Sequence, residues 1–495
     1  MTDTPGVIQI RQSGNMLAVS DAKKVLPVLS NELFYWKREM SAPRRGQPMK
    51  MSNTRVNMYS TQDDTLYALA GFLNRICRTL KKSGFLFNYT RLDGITYPEP
   101  DFDSLRRMIP DMEMLYGQQN VLAYMVSADR GTFKAPTGYG KSYLARAFCA
   151  LYPTARIVIC GPASDIVTST YERILNITPH VGRVGGGYND PDRITVCTAH
   201  SLHKVPMDKV DFLIYDEVHT APAPTHQYKL GKIRRPKMFG FSANLSGRGD
   251  GADIVIEGLF GPMLFEVTYQ KAVEHNIVLP IEVHVLRLQN MPARYSAANH
   301  DNPVSKKRWF YWRNKARNKM IADYVTGDLE KSCCRENPQV LILVETLEHA
   351  LFLRQYLPDY KLVYASADLQ RLKQMEAADL FDSRTDLLDA KARKKLRLAF
   401  EAGDERKVIA TSCWGTGVDF PSLDALVVAG GPASEILSTQ WPGRVSRIHR
   451  GGDKTKGIVV DCSDEIDEWG YNRYKKRRKV YNDKGWKFIQ VQGQP

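Results

Sequence analysis

Short apolar runs separated by polar turns organise most of this 495-residue chain. From about Asp111 to Pro280 the runs R-I-V-I-C-G, R-I-T-V-C-T, D-F-L-I-Y-D and M-F-G-F-S alternate with helical stretches. Runs of four or five apolar residues without a polar face predict strands covered on both sides, and their alternation with helices predicts a parallel sheet. A second series follows a basic stretch: Q-V-L-I-L-V-E (339–345), Y-K-L-V-Y-A (360–365), K-V-I-A-T-S (407–412), A-L-V-V-A-G (425–430) and G-I-V-V-D-C (457–462). The pattern predicts two α/β domains in tandem, residues 111–284 and 285–465.

The first 110 residues read differently. V-I-Q-I-R, M-L-A-V-S, T-R-V-N-M-Y-S and F-L-F-N-Y-T predict strands, and Asp21–Met40 and Asp63–Lys82 predict helices, so 1–110 is expected to be a small α+β domain. Its bases, including Arg44, Arg45, Lys50, Arg55, Arg75, Arg78, Lys81 and Lys82, either form a duplex-binding face or solvate one. Within 285–320, S-K-K-R-W-F-Y-W-R-N-K-A-R-N-K alternates bases with aromatics, which suits either a nucleic-acid contact or a linker entering an amphipathic helix. The tail 466–495 carries Y-N-R-Y-K-K-R-R-K-V-Y-N-D-K-G-W-K, a dense basic helix that is either a solvated face or another nucleic-acid contact.

Charge narrows the partners. The formal net charge of +15 points to a polyanion, because Lys and Arg that neutralise phosphates release condensed counterions. No apolar run is long enough to span a bilayer and M-T-D-T-P-G lacks a signal-peptide pattern, so a cytoplasmic protein without membrane contact is expected. The eight cysteines show no CxxC and no zinc spacing, and read as free thiols, largely buried.

Three distant segments carry the chemistry. A-P-T-G-Y-G-K-S follows an apolar run and leads into a helical one, the strand–loop–helix setting of a phosphate cradle. Pro136, Thr137, Gly138, Tyr139, Gly140, Lys141 and Ser142 would line it: the glycines admit phosphates to backbone N–H groups, Lys141 reaches the β- and γ-phosphates of ATP, and Ser142 holds Mg²⁺. About 75 residues on, F-L-I-Y-D-E-V-H ends a strand in two carboxylates. Asp216 is expected to bind Mg²⁺, Glu217 to polarise the attacking water, and His219 to couple the site to the next motif. In Q-W-P-G-R-V-S-R, Gln440, Arg444 and Arg447 complete the set, the arginines sharing a helix face and engaging phosphoryl oxygens through their planar forks. Arginines so far from the cradle reach the same nucleotide only if two domains close on it.

With these residues in place the chain resembles the superfamily 2 DExH helicases over roughly 115–465. The resemblance implies two tandem RecA-like parallel-sheet motor domains and assigns further residues. Gln118 would read adenine, with Gly117 where the family carries an aromatic. Pro162, Thr198 and Ser201 would grip the nucleic-acid backbone, and Thr411 would lie on the tracked strand. Gly417 and Asp419 would face the nucleotide. Ser242 and Asn244, in S-A-N where the family has S-A-T, would couple hydrolysis to movement. G-P-A-S-D, D-E-V-H and Q-W-P-G-R disfavour the DEAD-box RNA branch. The small N-terminal module, G-G-G at 185–187 and the basic tail are similar to UvsW-type phage branch-migrating DNA helicases. That likeness implies a monomer-capable motor acting on forks, R-loops, D-loops and Holliday junctions, in the host cytoplasm if viral. An RNA helicase, or an ATP-gated duplex sensor that separates no strands, remain the alternative readings.

Overall fold

The computed structural model describes residues 6–40, 51–162, 164–245, 250–289, 292–365, 369–414, 420–431, 438–439, 441–449 and 451–491. In chain order its strands are β1 (Ile8–Ser13), β2 (Met16–Val19), β3 (Phe34–Met40), β4 (Met51–Asn57), β5 (Tyr59–Gln62), β6 (Thr65–Leu69), β7 (Phe87–Arg91), β8 (Arg130–Lys134), β9 (Ile157–Gly161), β10 (Val181–Gly185) and β11 (Tyr188–Asp190). They continue with β12 (Ile194–Thr198), β13 (Phe212–Asp216), β14 (Lys237–Ser242), β15 (Met263–Glu266), β16 (Ile281–Leu286), β17 (Val340–Leu343), β18 (Lys361–Val363), β19 (Lys407–Ala410), β20 (Ala425–Val428), β21 (Gly457–Cys462) and β22 (Lys487–Val491).

Among the described residues these strands form two large sheets, a smaller one and a ribbon. The first large sheet runs β11-β10-β12-β9-β13-β14-β8-β15 and is parallel except at β11. The second runs β18-β19-β17-β20-β21-β16-β22, parallel throughout. Ile157–Gly161, Ile194–Thr198 and Gly457–Cys462 are buried at every position, the result of helices packed on both faces. These are the two RecA-like parallel-sheet domains of an α/β fold, accompanied by a small N-terminal α+β part.

The chain divides into two compact units, Met1–Pro136 with Gly140–Val267, and Thr137–Tyr139 with Thr268–Pro495. In the first unit the N-terminal sheet, β5-β6-β2-β1-β7, shares one apolar cluster with the large sheet: Ile10, Leu17 and Phe72 belong with Tyr215, Leu259 and Phe260. Gly258 makes the approach possible, since a Cβ there would meet the Phe72 ring at 2.7 Å. Arg75 clamps the joint through Nε and Nη2 to both Glu257 carboxylate oxygens, so this base serves the packing rather than an open binding face.

Three local expectations are corrected, and the basic tail forms its expected helix. The helix predicted over Asp21–Met40 covers only Ala22–Leu29; Ser30 caps it, and the aromatic run F-Y-W continues as β3, paired antiparallel with β4. Within Asp63–Lys82 the alternating T-L-Y-A-L forms β6, and the helix begins at Leu73. The basic–aromatic segment after Pro303 coils into the short helices Pro303–Lys307 and Arg308–Trp312, whose Phe310, Tyr311 and Trp312 are buried with Trp469 packed against them. Those three rings are therefore core rather than a stacking surface. The basic tail forms the helix Glu468–Asp483, and Lys487–Val491 then joins the second large sheet beside β16. Its Arg477 is fully buried, bound to both oxygens of Asp461 at 2.7 and 2.9 Å.

Cys149, Cys160, Cys197 and Cys462 are buried free thiols; Cys77, Cys333 and Cys413 are half-buried and Cys334 is exposed. No helix among the described residues is long and apolar enough to cross a membrane.

Candidate nucleotide and nucleic-acid site

The parallel register of the first large sheet collects the candidate residues along one edge. Ser242 pairs with Lys134, Asp216 with Phe241 and Thr198 with Gly161, so β8, β9, β12, β13 and β14 all end together. The carboxyl edge of such a sheet is where α/β folds bind ligands, because the loops and helix N-termini that follow the strands converge there.

β8 runs into the cradle and then into the helix Lys141–Leu151, whose N-cap is Gly140. Gly138 and Gly140 have φ of 102° and 88°, left-handed values that glycine adopts without strain and that turn backbone N–H groups toward one point. Gln118 opens the helix Gln118–Ser127 and is fully buried; its Oε1 accepts the Leu115 N–H at 2.9 Å, and its Nε2 lies 2.8 Å from where a Cβ on Gly140 would stand. The candidate adenine reader thus packs against the cradle.

A polar chain links the remaining members. Lys141 Nζ lies 3.9 Å from Glu217 Oε1; Glu217 Oε2 lies 3.2 Å from His219 Nδ1; and His219 Nδ1 lies 3.0 Å from Ser242 Oγ. Ser242 Oγ donates to the Asn244 carbonyl at 2.7 Å and accepts the Asn244 N–H at 3.2 Å. Glu217 has φ of 55°, a left-handed conformation costing a non-glycine residue about 1–2 kcal/mol, at the point where β13 turns into the 3₁₀ turn Val218–Thr220. Burial, then the neighbouring Glu217 charge, pushes the Asp216 carboxyl above its ordinary range. Burial acts the same way on Glu217, but Lys141 and His219 outweigh it and hold that carboxyl low. Adjacent carboxylates are therefore driven apart, one kept ionised and one short of countercharge.

That shortage fits a cation at Asp216. Ser142 and Asp216 offer one hydroxyl and one carboxylate, and no cluster of three or more His, Cys, Asp or Glu suited to a metal occurs among the described residues. A hard octahedral ion that keeps water and phosphate oxygens in its shell suits so sparse a donor set, and Mg²⁺ is such an ion.

Further along the edge Thr198 Oγ1 donates to Ser201 Oγ at 3.0 Å. Gly185, with φ of 112°, brings its backbone so close that a Cβ would sit 2.6 Å from the Thr198 hydroxyl and 2.9 Å from that of Ser201. A Cβ on Gly186 would meet Ser164 Oγ at 3.2 Å. Gly185, Gly186 and Ser164 thereby join the candidate backbone grip; G-G-G was the visible signal, but its neighbours were not. Pro162 is half-buried at the end of β9.

In the second unit Thr411 is buried, its N–H donating to the Val363 carbonyl and its Oγ1 to Cys413 Sγ at 3.3 Å. Arg444 and Arg447 do not share a helix. A 3₁₀ turn, Pro442–Arg444, ends at the first, and Arg447 lies beyond it in a turn where its N–H reaches the Arg444 carbonyl at 3.4 Å. Pro442 favours the start of this short helix. Gln440, Gly417 and Asp419 fall outside the described residues.

Residues 111–246 match the family of the type III restriction enzyme res subunit. The chain is 25% identical over 348 residues to DNA 3'-5' translocase XPB2 of Sulfurisphaera tokodaii, covering 67% of this chain and 77% of that one. It is 22% identical over 373 residues to the ATP-dependent DNA helicase UvsW of Enterobacteria phage T4, covering 71% and 68% respectively. In fold it is similar to a fragment assigned to the HsdR subunit of a type I restriction enzyme from Vibrio vulnificus YJ016, with a TM-score of 0.55 at 15% identity over 96% of this chain and 98% of that one. The family match and these two relatives support an ATP-dependent nucleic-acid helicase, similar to those of superfamily 2. Within it the chain resembles UvsW.

Proposed function

We propose that the chain is a DNA helicase or translocase that uses ATP to remodel branched DNA, including forks, R-loops, D-loops and Holliday junctions. The observation that supports it most is the polar chain from Lys141 through Glu217 and His219 to Ser242, which ties a phosphate-reaching lysine to a motif at the end of the neighbouring strand. The names of the similar proteins, a DNA translocase and a DNA helicase, favour DNA over RNA.

In this reading residues 111–284 and 285–465 are the two motor domains. Pro136 to Gly140 cradle the phosphates and Lys141 neutralises the β- and γ-oxygens. Mg²⁺, when bound beside Ser142 and Asp216, neutralises further phosphate charge. Glu217, kept ionised by Lys141 and His219, orients and deprotonates the attacking water. Arg444 and Arg447, with Gln440, meet the charge that shifts toward the leaving phosphate, a contribution worth about 10³–10⁵ in rate for a supplied arginine. Gln118 reads the base, and Gly417 and Asp419 face the nucleotide. His219, Ser242 and Asn244 pass the hydrolysis state to the backbone grips, Pro162, Thr198 and Ser201 on one domain and Thr411 on the other. Affinity then rests on phosphate contacts, falls steeply with salt and shows little base preference. The protein acts as a monomer, in the host cytoplasm if viral.

The deciding experiment compares ATPase stimulation and strand displacement on single-stranded, duplex, forked, R-loop and four-way substrates, for wild type and Lys141→Ala. Stimulation highest on branched DNA, with hydrolysis lost in Lys141→Ala and DNA binding kept, is the expected result. Stronger stimulation by RNA, hydrolysis without displacement on any substrate, or activity surviving in Lys141→Ala overturns it.

A further inference from the structure

The ribbon of β3 and β4 stands outside the large sheets, and of the candidate residues named above only Arg55, among the bases of the N-terminal module, lies on it. Its register pairs Phe34, Trp36 and Arg38 with Asn57, Arg55 and Asn53, and strand alternation puts these six on one face. None of the six is acidic, and Trp36 is 53% exposed. The indole is held at a fixed angle nonetheless. It stands edge-on to Phe34 with ring centroids 5.9 Å apart, and the Arg55 guanidinium lies 4.2 Å over the Phe34 ring while donating to the Ser30 carbonyl at 2.6 Å. The ribbon backbone is equally fixed. Arg38 N–H donates to the Asp250 carbonyl at 3.2 Å, and Gly251, at φ of 78°, approaches so near that a Cβ would stand 2.5 Å from the Trp36 carbonyl oxygen. The ribbon thus presents a large exposed ring with Arg55 directly across the register and Arg38 two residues along on the same face.

Resting on the nucleic-acid reading above, we propose that this face binds single-stranded nucleic acid, with Trp36 stacking on an unpaired base and Arg38 and Arg55 meeting the flanking phosphates. Rings flanked by cations are how single strands are held without sequence preference, because every base has a π-face and every linkage a charge. In a duplex the base faces are already stacked on one another, which leaves Trp36 nothing to cover. A basic face on a chain of net charge +15 suits a polyanion rather than a basic protein surface.

The test uses the full-length protein without nucleotide. Fluorescence anisotropy reads its binding to a fluorescein-labelled fork with single-stranded arms, and to a blunt duplex of the same length. Trp36→Ala is expected to weaken fork binding about five- to hundredfold, the loss of one base–aromatic stack, and blunt-duplex binding by less than twofold. Trp36→Phe is expected to restore part of the loss, and unstimulated ATP hydrolysis to stay unchanged in both. In parallel, 5-iodouracil in the single-stranded arm is expected to crosslink to the peptide that contains Trp36. Fork affinity within twofold of wild type in Trp36→Ala, equal losses on fork and duplex, or crosslinks confined to other peptides each overturn the proposal. Failure of the motor reading is registered separately, by hydrolysis surviving in Lys141→Ala.

Discussion

Two charged networks in this molecule look alike on paper and differ in exposure and in charge balance. At the edge of the first large sheet, Lys141, Glu217 and His219 keep side-chain exposures of 11%, 20% and 10%, and the lysine stands 3.9 Å from its carboxylate, at the limit of an ion pair. In the second unit Arg317 binds Asp464 at 2.9 Å and Arg477 binds Asp461 at 2.7 Å, all four fully buried. The second network is balanced, two arginines against two aspartates, with Arg317 Nη1 also spent on the Ala429 carbonyl at 2.8 Å. The first is unbalanced: adjacent carboxylates, one lysine, and Glu217 in a backbone conformation that costs energy. Burial alone therefore does not mark a working charge cluster. The unequal count of acids and bases separates the two, whereas a positive φ occurs in both, at Glu217 and at Asp464.

The comparison breaks most readily at Glu217. Glu217→Gln keeps the shape and removes the base, so phosphate-release assays are expected to show at least a hundredfold loss of hydrolysis while labelled ATP still binds. The balanced network should respond in stability instead. Arg477→Met leaves Asp461 buried without its countercharge and Asp464 with Arg317 alone, and a loss of about 3–5 kcal/mol is expected in the thermal or denaturant unfolding of the second unit. A smaller effect sharpens the contrast: His219→Ala is expected to keep much of the basal ATPase but lower its nucleic-acid stimulation about tenfold, with an unchanged melting temperature.

The smallest effect concerns Lys454, whose ammonium donates to the Arg447 carbonyl at 2.9 Å and whose burial brings its pKa down to about 8. A depressed lysine binds its proton less well folded than unfolded. The penalty is full below pH 8, and stability is gained as pH rises from 8 toward the unfolded value near 10.5, by at most about 3 kcal/mol. Lys454→Met is expected to abolish that rise between melts at pH 7.5 and 9.5.

The parallel strands were legible because β9, β12 and β21 are buried on both faces and had to be apolar at nearly every position. The cradle was legible for a related reason: its two positive-φ turns demand glycine at Gly138 and Gly140. The polar chain from Glu217 to Asn244 was named residue by residue, but its connections depend on strand register, which spacing does not carry. Other features misled where local pattern and tertiary setting disagree. Phe310, Tyr311 and Trp312 lie between Arg308 and Arg313, and the bases around them suggested a stacking surface; tertiary packing buried the rings instead. Arg477 lies in a run of five cations, and nothing in that run distinguishes the one whose partners, Asp461 and Asp464, arrive from another element. Arg444 and Arg447 had helical spacing, but the turn that begins at Pro442 ends at Arg444.

The apolar cluster shared by the N-terminal sheet and the motor sheet bears on how such a protein is inherited. Ile10, Leu17 and Phe72 cover the same core as Leu259 and Phe260, and Arg75 locks Glu257 beside them. A lineage that lost residues 1–110 would leave a greasy wound on its motor, and one that swapped them for another module would need a replacement cut to the same contour. Exchange of the N-terminal part would expose this shared apolar cluster. Change here must come by substitution on the outer surface, where the ribbon bearing Trp36 offers room for it.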